Sequence, residues 1–176
     1  MPIRVVVADD STISRVLLRE ALERDSDIVV VGEATDAEST LEVVRSARPD
    51  IATIDMFMPG GGLLAIELVM SRSPVPILVV TSAGGDREGP KLAFEAVRRG
   101  ALDLVAKPRG SRSDEAEALR AVVRSLARVP VVRHVTGERA ARGSPTANAA
   151  VPTASRGGPP AQRARLARPL RVVGVV

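Results

Sequence analysis

The chain predicts an α/β fold: a doubly wound parallel sheet of five strand–helix units, followed by a tail of different character. Three observations carry this. Short β-branched runs alternate with helix-period segments over the first 130 residues. No hairpin signal joins consecutive runs, so each pair of strands is parallel with a helix crossing between them. A closed (β/α)8 barrel typically takes about 250 residues, which leaves an open sheet with right-handed crossovers and helices on both faces.

The elements follow in order. Ile3–Ala8 is a β-branched run of strand length, and after Asp9, Asp10 and Ser11 the residues Ile13, Val16, Leu17, Ala21 and Leu22 mark the inward face of a helix. Residues 28–31 form a second strand closed by Gly32; Asp36 caps the next helix, with Leu41, Val44 and Ala47 inward and Pro49 as its stop. Ile51–Ile54 is a third strand that ends on Asp55, and residues 63–70 read as a helix with a broad apolar surface. Residues 76–80 are a fourth strand running into Thr81 and Ser82. After a glycine-rich loop, Leu92, Ala93, Ala96 and Val97 line a helix that Gly100 ends. Residues 102–106 make a short fifth strand before Lys107 and Pro108. Ser113 caps a last helix, with Asp114, Glu115 and Glu117 near its positive end and Leu119, Val122 and Leu126 facing the core.

Composition changes near Pro130. Residues 1–130 hold 17 basic and 20 acidic side chains, a net −3, whereas residues 131–176 hold 8 and 1, a net +7. The boundaries expected are a folded domain over 1–129, a disordered Ala/Pro/Gly/Arg-rich linker over 130–169, and a strand-like end over 170–176. The basic pI thus belongs to the tail, and specific nucleic-acid binding is not expected. Phe57 and Phe94 are the only aromatics, too few for base-stacking platforms. Cysteine is absent, which removes disulfides, thiolate metal sites and a Cys nucleophile. The N-terminus meets charge too early for a signal peptide, and no apolar run approaches the roughly 20 residues of a membrane span. A soluble, cytoplasmic protein is expected.

The polar residues of interest lie at strand ends. Asp9 and Asp10 follow strand one, Asp55 strand three, Thr81 and Ser82 strand four, and Lys107 strand five. In an open parallel sheet, ligands bind beyond those carboxyl ends. If strands one and three are neighbours, as in the flavodoxin-like (βα)5 order 2-1-3-4-5, three carboxylates converge. They repel unless a cation neutralises them, and Mg²⁺ suits oxygen ligands and phosphate. The plainer alternative is that Asp9 and Asp10 cap the first helix, although Ser11 alone would serve. Asp55 is best placed as a nucleophile toward phosphorus. Lys107 would ion-pair with it before transfer and with phosphate afterwards, and Thr81 would hydrogen-bond the new phosphate.

Together, Asp9-Asp10-Ser11, "TIDMFMP", "VVTS" and "GALDLVAKP" resemble the signature set of response-regulator receiver domains over residues 3 to about 128. Within that family, "DDSTISRVLLREALERDSDIVVVGEATD" and "RRGALDLVAKP" are most similar to the regulatory domain of chemotaxis protein-glutamate methylesterase. The resemblance implies a phosphorelay: Asp55 phosphorylated by a chemotaxis-type sensor histidine kinase, with Mg²⁺ held by Asp9 or Asp10, Asp55 and the main-chain carbonyl of Phe57. It implies that Thr81 and Lys107 are the switch hydroxyl and lysine, and that the Lys107–Pro108 bond is cis. Three features depart from the pattern: Leu104 stands where many receivers carry an aromatic, "MPGGG" lacks the commoner acid, and the loop "SAGGDREGP" is long enough for Ser82 to compete with Thr81.

In the methylesterase family a linker joins the receiver to a hydrolase domain that opens with a strand like "RVVGVV". This resemblance makes residues 170–176 a remnant of that strand, with the hydrolase domain missing. No Gly-x-Ser-x-Gly element is present and the sole histidine, His134, lies in or beside the linker, so no esterase triad is expected in this chain. Two readings follow: a receiver whose output lies in partner proteins, or the regulatory fragment of a methylesterase that continues beyond Val176. An aspartate-nucleophile phosphatase is disfavoured by Phe57 two residues after Asp55. Nucleotide binding is disfavoured because Gly60, Gly61 and Gly62 are not followed by Lys-Ser/Thr.

Overall fold

Period-two alternation in the strands decides which face each helix covers. In the computed structural model, which describes residues 1–82 and 89–131, five parallel strands β1 (Ile3–Ala8), β2 (Ile28–Ala34), β3 (Ile51–Ile54), β4 (Ile77–Thr81) and β5 (Asp103–Ala106) form one sheet in the order β2-β1-β3-β4-β5. Val6, Ala8, Ala52, Ile54, Ile77 and Val79 point to one face, against α2 (Ala37–Ala47), α3 (Gly62–Arg72) and α4 (Gly89–Arg99). Val5, Val7, Ile51, Leu78 and Val80 point to the other, against α1 (Thr12–Leu22) and α5 (Asp114–Leu126). Most of these strand residues are fully buried, each worth about 1.5–3 kcal/mol when the side chain is Val, Leu or Ile. This is the doubly wound fold read from the sequence.

Capping follows the expected chemistry. Ser11 Oγ accepts from Ser14 N at 3.3 Å to start α1, and Ser113 Oγ accepts from Ala116 N at 3.2 Å to start α5. Asp36 and Ser39 form a reciprocal capping box on α2. That helix ends at Arg48 in the left-handed region, with Pro49 next.

Several details correct the sequence reading. β2 does not close at Gly32 but runs on through Glu33 to Ala34. Gly32 is there for α2: a Cβ at this position would lie 2.5 Å from Val43 Cγ1. The inward face of α1 is Leu18, Ala21 and Leu22, while Ile13 and Val16 are exposed, because at 3.6 residues per turn they fall on the opposite side of the helix from Leu18. Val97 of α4 is likewise exposed and Ala96 is the residue that packs. On α5, Val123 and the stem of Arg120 are buried beside Leu119, whereas Val122 and Leu126 are only half-buried. The Lys107–Pro108 bond is trans, the ordinary lower-energy state, and Lys107 reaches its partners without a cis turn. All but the first two residues of the expected linker, the strand-like end and His134 lie outside the described residues, as does most of the loop after Ser82. Among the described residues no helix is long and apolar enough to cross a membrane.

Candidate functional site

Main-chain pairing places the site. β1 and β3 are neighbours with Ala8 opposite Ile54, and the ladder continues one step further as Asp55 N donates to Ala8 O at 2.8 Å. Asp9 N donates in turn to Ala34 O at 3.0 Å. Asp9 and Asp55 therefore leave adjacent strands at the same level of the sheet. On the other side, Thr81 pairs with Ala106 across β4 and β5, and Lys107 N donates to Thr81 O at 3.0 Å. All the strand-end residues singled out in the sequence stand on this one edge.

The carboxylates of Asp9, Asp10 and Asp55 converge, with one oxygen from each lying within 4.8 Å of the others. Asp9 is fully buried, Asp55 is 4% exposed, and Asp10 opens to solvent. Asp9 Oδ1 accepts from Ser11 N at 3.0 Å, so the same turn that starts α1 also aims the acid. Asp55 Oδ2 accepts from Phe57 N at 3.1 Å. The remaining oxygens, Asp9 Oδ2 and Asp55 Oδ1, face the Lys107 ammonium at 2.6 and 3.4 Å. Neither makes a hydrogen bond of good geometry there. Burial pushes the Asp55 carboxyl above the usual carboxylate range. Lys107 and the Phe57 amide pull it back in part, and the nearby Asp9 charge adds to the rise.

This donor set fits a hard divalent cation. Two buried carboxylate oxygens face only the Lys107 ammonium, a third acid sits on the solvent side, and one lysine cannot neutralise three acids. The plainer cap role falls instead to Ser11. Thr81 is buried at the end of β4 and Ser82 is exposed just beyond it. Phe57 holds its ring half in solvent, 54% exposed, at the rim of the cluster.

The loop after Asp55 is held tightly from below. Gly61 N donates to Met58 O at 2.8 Å and Gly62 N to Met56 O at 3.1 Å, with Gly60 and Gly61 both at positive φ. A Cβ on Gly62 would fall 2.4 Å from the Asp55 carbonyl oxygen, so glycine is required for α3 to start directly beneath the acid. Sequence reading missed Arg15, whose guanidinium grips the Asp9–Asp10 turn. The single signal it offered was an arginine in the first turn of the helix that follows the two acids.

Residues 5–123 match the model of the response regulator receiver domain. The chain belongs to that family. What matches is a receiver domain, not a catalytic one. The chain is similar to protein-glutamate methylesterase/protein-glutamine glutaminase 3 of Anaeromyxobacter dehalogenans, at 39% identity over 94% of this chain and 52% of that protein. It is also similar to the protein of that name from Paramagnetospirillum magneticum, at 40% identity over 74% of this chain and 36% of the other. The chain thus spans about half or less of the length of these relatives. Among solved structures, the response regulator domain of Thermotoga maritima CheB superposes with a TM-score of 0.64 at 32% identity, covering 74% of this chain and 99% of that domain. The receiver domain places the chain in two-component signalling of the CheB-like kind.

Proposed function

We propose that the chain is a phosphorylation-dependent response regulator of a chemotaxis-type phosphorelay, in which Asp55 accepts the phosphoryl group of a histidine kinase. The observation that carries this is the buried Asp55 carboxylate, one oxygen facing only the Lys107 ammonium, converging with Asp9 and Asp10. In the transfer, an Asp55 carboxylate oxygen forms a bond to phosphorus as the bond from phosphorus to the donor histidine nitrogen breaks. The electron pair of that bond stays on the imidazole, which takes up a proton.

Mg²⁺, held by Asp9, Asp10, Asp55 and the Phe57 carbonyl, would supply charge neutralisation for the incoming phosphoryl oxygens. Lys107 would then trade its carboxylate partners for phosphate, and Thr81, buried where Ser82 is exposed, would donate its hydroxyl. These new bonds favour a second arrangement of the face made by α4, β5 and α5, a population shift that alters partner choice. The setting proposed is cytoplasmic.

A second reading is that this is the regulatory part of a protein-glutamate methylesterase whose hydrolase domain lies beyond Val176. One observation favours it: the Anaeromyxobacter similarity covers 94% of this chain and so extends past the receiver match at 5–123. Reading the coding sequence past Val176 for a serine-bearing glycine loop decides between an output in partners and an output in cis.

Acetyl phosphate tests the acceptor directly. Incubation with Mg²⁺ is expected to add one acid-stable, base-labile phosphoryl group, absent when chelator is present and absent in Asp55→Asn. Equal labelling of the substituted protein would refute the assignment.

A further inference from the structure

The three acids of the cluster are not held alike. Asp9 is aimed by Ser11 N and Lys107, and Asp55 by Phe57 N and Lys107. Among the described residues no hydrogen bond holds the Asp10 carboxylate, so the backbone on either side sets its direction. Arg15 holds that backbone. Its Nη1 donates to Asp9 O at 2.8 Å and to Asp10 O at 3.2 Å, which fixes the two peptide planes flanking the Asp10 Cα. Its Nη2 reaches Thr12 Oγ1 at 3.3 Å, and its Nε donates to Glu33 Oε2 at 3.0 Å.

Glu33 is a firm anchor because β2 continues past Gly32. It pairs with Val7 in the sheet, and its other oxygen takes Arg19 Nε at 3.0 Å and Nη2 at 2.5 Å. Arg15 itself is 13% exposed. A planar guanidinium can serve two carbonyls and a carboxylate at once; a lysine ammonium in the same place has the charge without the fork.

We propose that Arg15 is a positioning residue for cation binding: anchored on Glu33, it clamps the Asp9 and Asp10 carbonyls and thereby points Asp10 into the acid cluster. This rests on the receiver reading above. Groups that orient ligands without touching the metal typically change its affinity by about 10–100-fold.

The test is a Mn²⁺ titration of the full chain, followed by the electron-paramagnetic signal of free ion, with Mg²⁺ competition. Arg15→Ala is expected to weaken Mn²⁺ binding about 10-fold, and Arg15→Lys to recover only part of it. Arg98→Ala, which loses an exposed pair with Glu95 on α4, is expected to stay within about twofold of wild type. Acetyl phosphate labelling at saturating Mg²⁺ is expected to return close to wild type in Arg15→Ala, with the defect confined to the Mg²⁺ half-saturation. A purely structural role would lower the melting temperature and leave the metal affinity unmoved. If Arg15→Ala does not fold, Arg15→Lys and Glu33→Gln carry the comparison. Wild-type affinity in folded Arg15 variants overturns the clamp and leaves the receiver reading standing. Absence of Mn²⁺ binding by the wild-type chain overturns both.

Discussion

The Lys107 ammonium sits closer to Asp9 than to the acid expected to take phosphate, 2.6 Å from Asp9 Oδ2 against 3.4 Å from Asp55 Oδ1. One lysine thus bridges two acids that are almost wholly buried. Without it, two like charges face each other in a site poor in water. Lys107→Met is expected to cost about 2 kcal/mol of stability at neutral pH, because a buried charge left without its partner is expensive. Added Mg²⁺ should recover much of that loss, as should acidification into the carboxylate range. Urea melts with and without Mg²⁺ check this, and an equal loss in both would show that the acids do not share a cation.

Asp55 gives a pH dependence of opposite kind to an ordinary surface acid. Burial raises its folded value above that of the unfolded chain, so in the window between the two values the folded state holds a proton the unfolded state has lost. Stability from this group therefore falls as pH rises through the window and stays reduced above it. Asp55→Asn removes the ionisation and is expected to melt higher than wild type at neutral pH without metal. The advantage should vanish below about pH 3.9, the ordinary Asp value. Paired thermal melts across pH would expose the opposite trend if it existed.

Gly62 and Gly61 are adjacent but constrained differently. A methyl on Gly62 meets the Asp55 carbonyl oxygen at 2.4 Å and Met56 Cα at 2.7 Å, both backbone atoms that cannot step aside. Gly62→Ala is expected to cost about 1–3 kcal/mol by overpacking and to slow labelling by displacing the acceptor. Gly61 has open space around it, but φ is +84°, so Gly61→Ala carries about 1–2 kcal/mol of backbone strain and a smaller effect on labelling. Denaturant melts and labelling rates on both variants separate the two.

On the opposite side of the molecule, α5 is latched to the loop before β2. Arg120 is 6% exposed and donates to Asp25 Oδ2 at 3.0 Å and to Ala21 O at 2.8 Å, and Arg124 pairs with both Asp25 and Asp27. Arg120→Met keeps the apolar stem and loses these bonds, with an expected cost of about 2 kcal/mol. Hydrogen bonding from Arg124 is the main reason both carboxyls lie below the usual range, partly opposed by desolvation. Their contribution is therefore complete above about pH 4 and is lost as pH falls through the lowered values. An Arg124→Met chain should show a shallower loss of stability in acid, measurable by urea melts at stepped pH.

Much of the site could be read from local patterns. Asp9, Asp55, Thr81 and Lys107 each terminate a recognisable strand, and in a parallel sheet all such termini share an edge, so four strand-end residues predict one location. Helix caps at Ser11, Asp36 and Ser113 were equally legible, since a cap involves residues three apart. Helix faces were less so. Ile13, Val16 and Val97 are apolar yet stand in solvent, because a period says which residues share a face and not which face the sheet covers.

The amino-acid order by itself determined the alternation of strand and helix, the acids at the carboxyl edge and the family, because these depend on periodicities and motifs within a few residues. Tertiary structure alone decided that Lys107 bridges Asp9 and Asp55, that Gly32 accommodates Val43 and lies inside a strand, and that Arg15 joins Glu33 to the Asp9–Asp10 turn. Those contacts link residues far apart in the chain, and their distances are set by strand order and register, which no local pattern encodes.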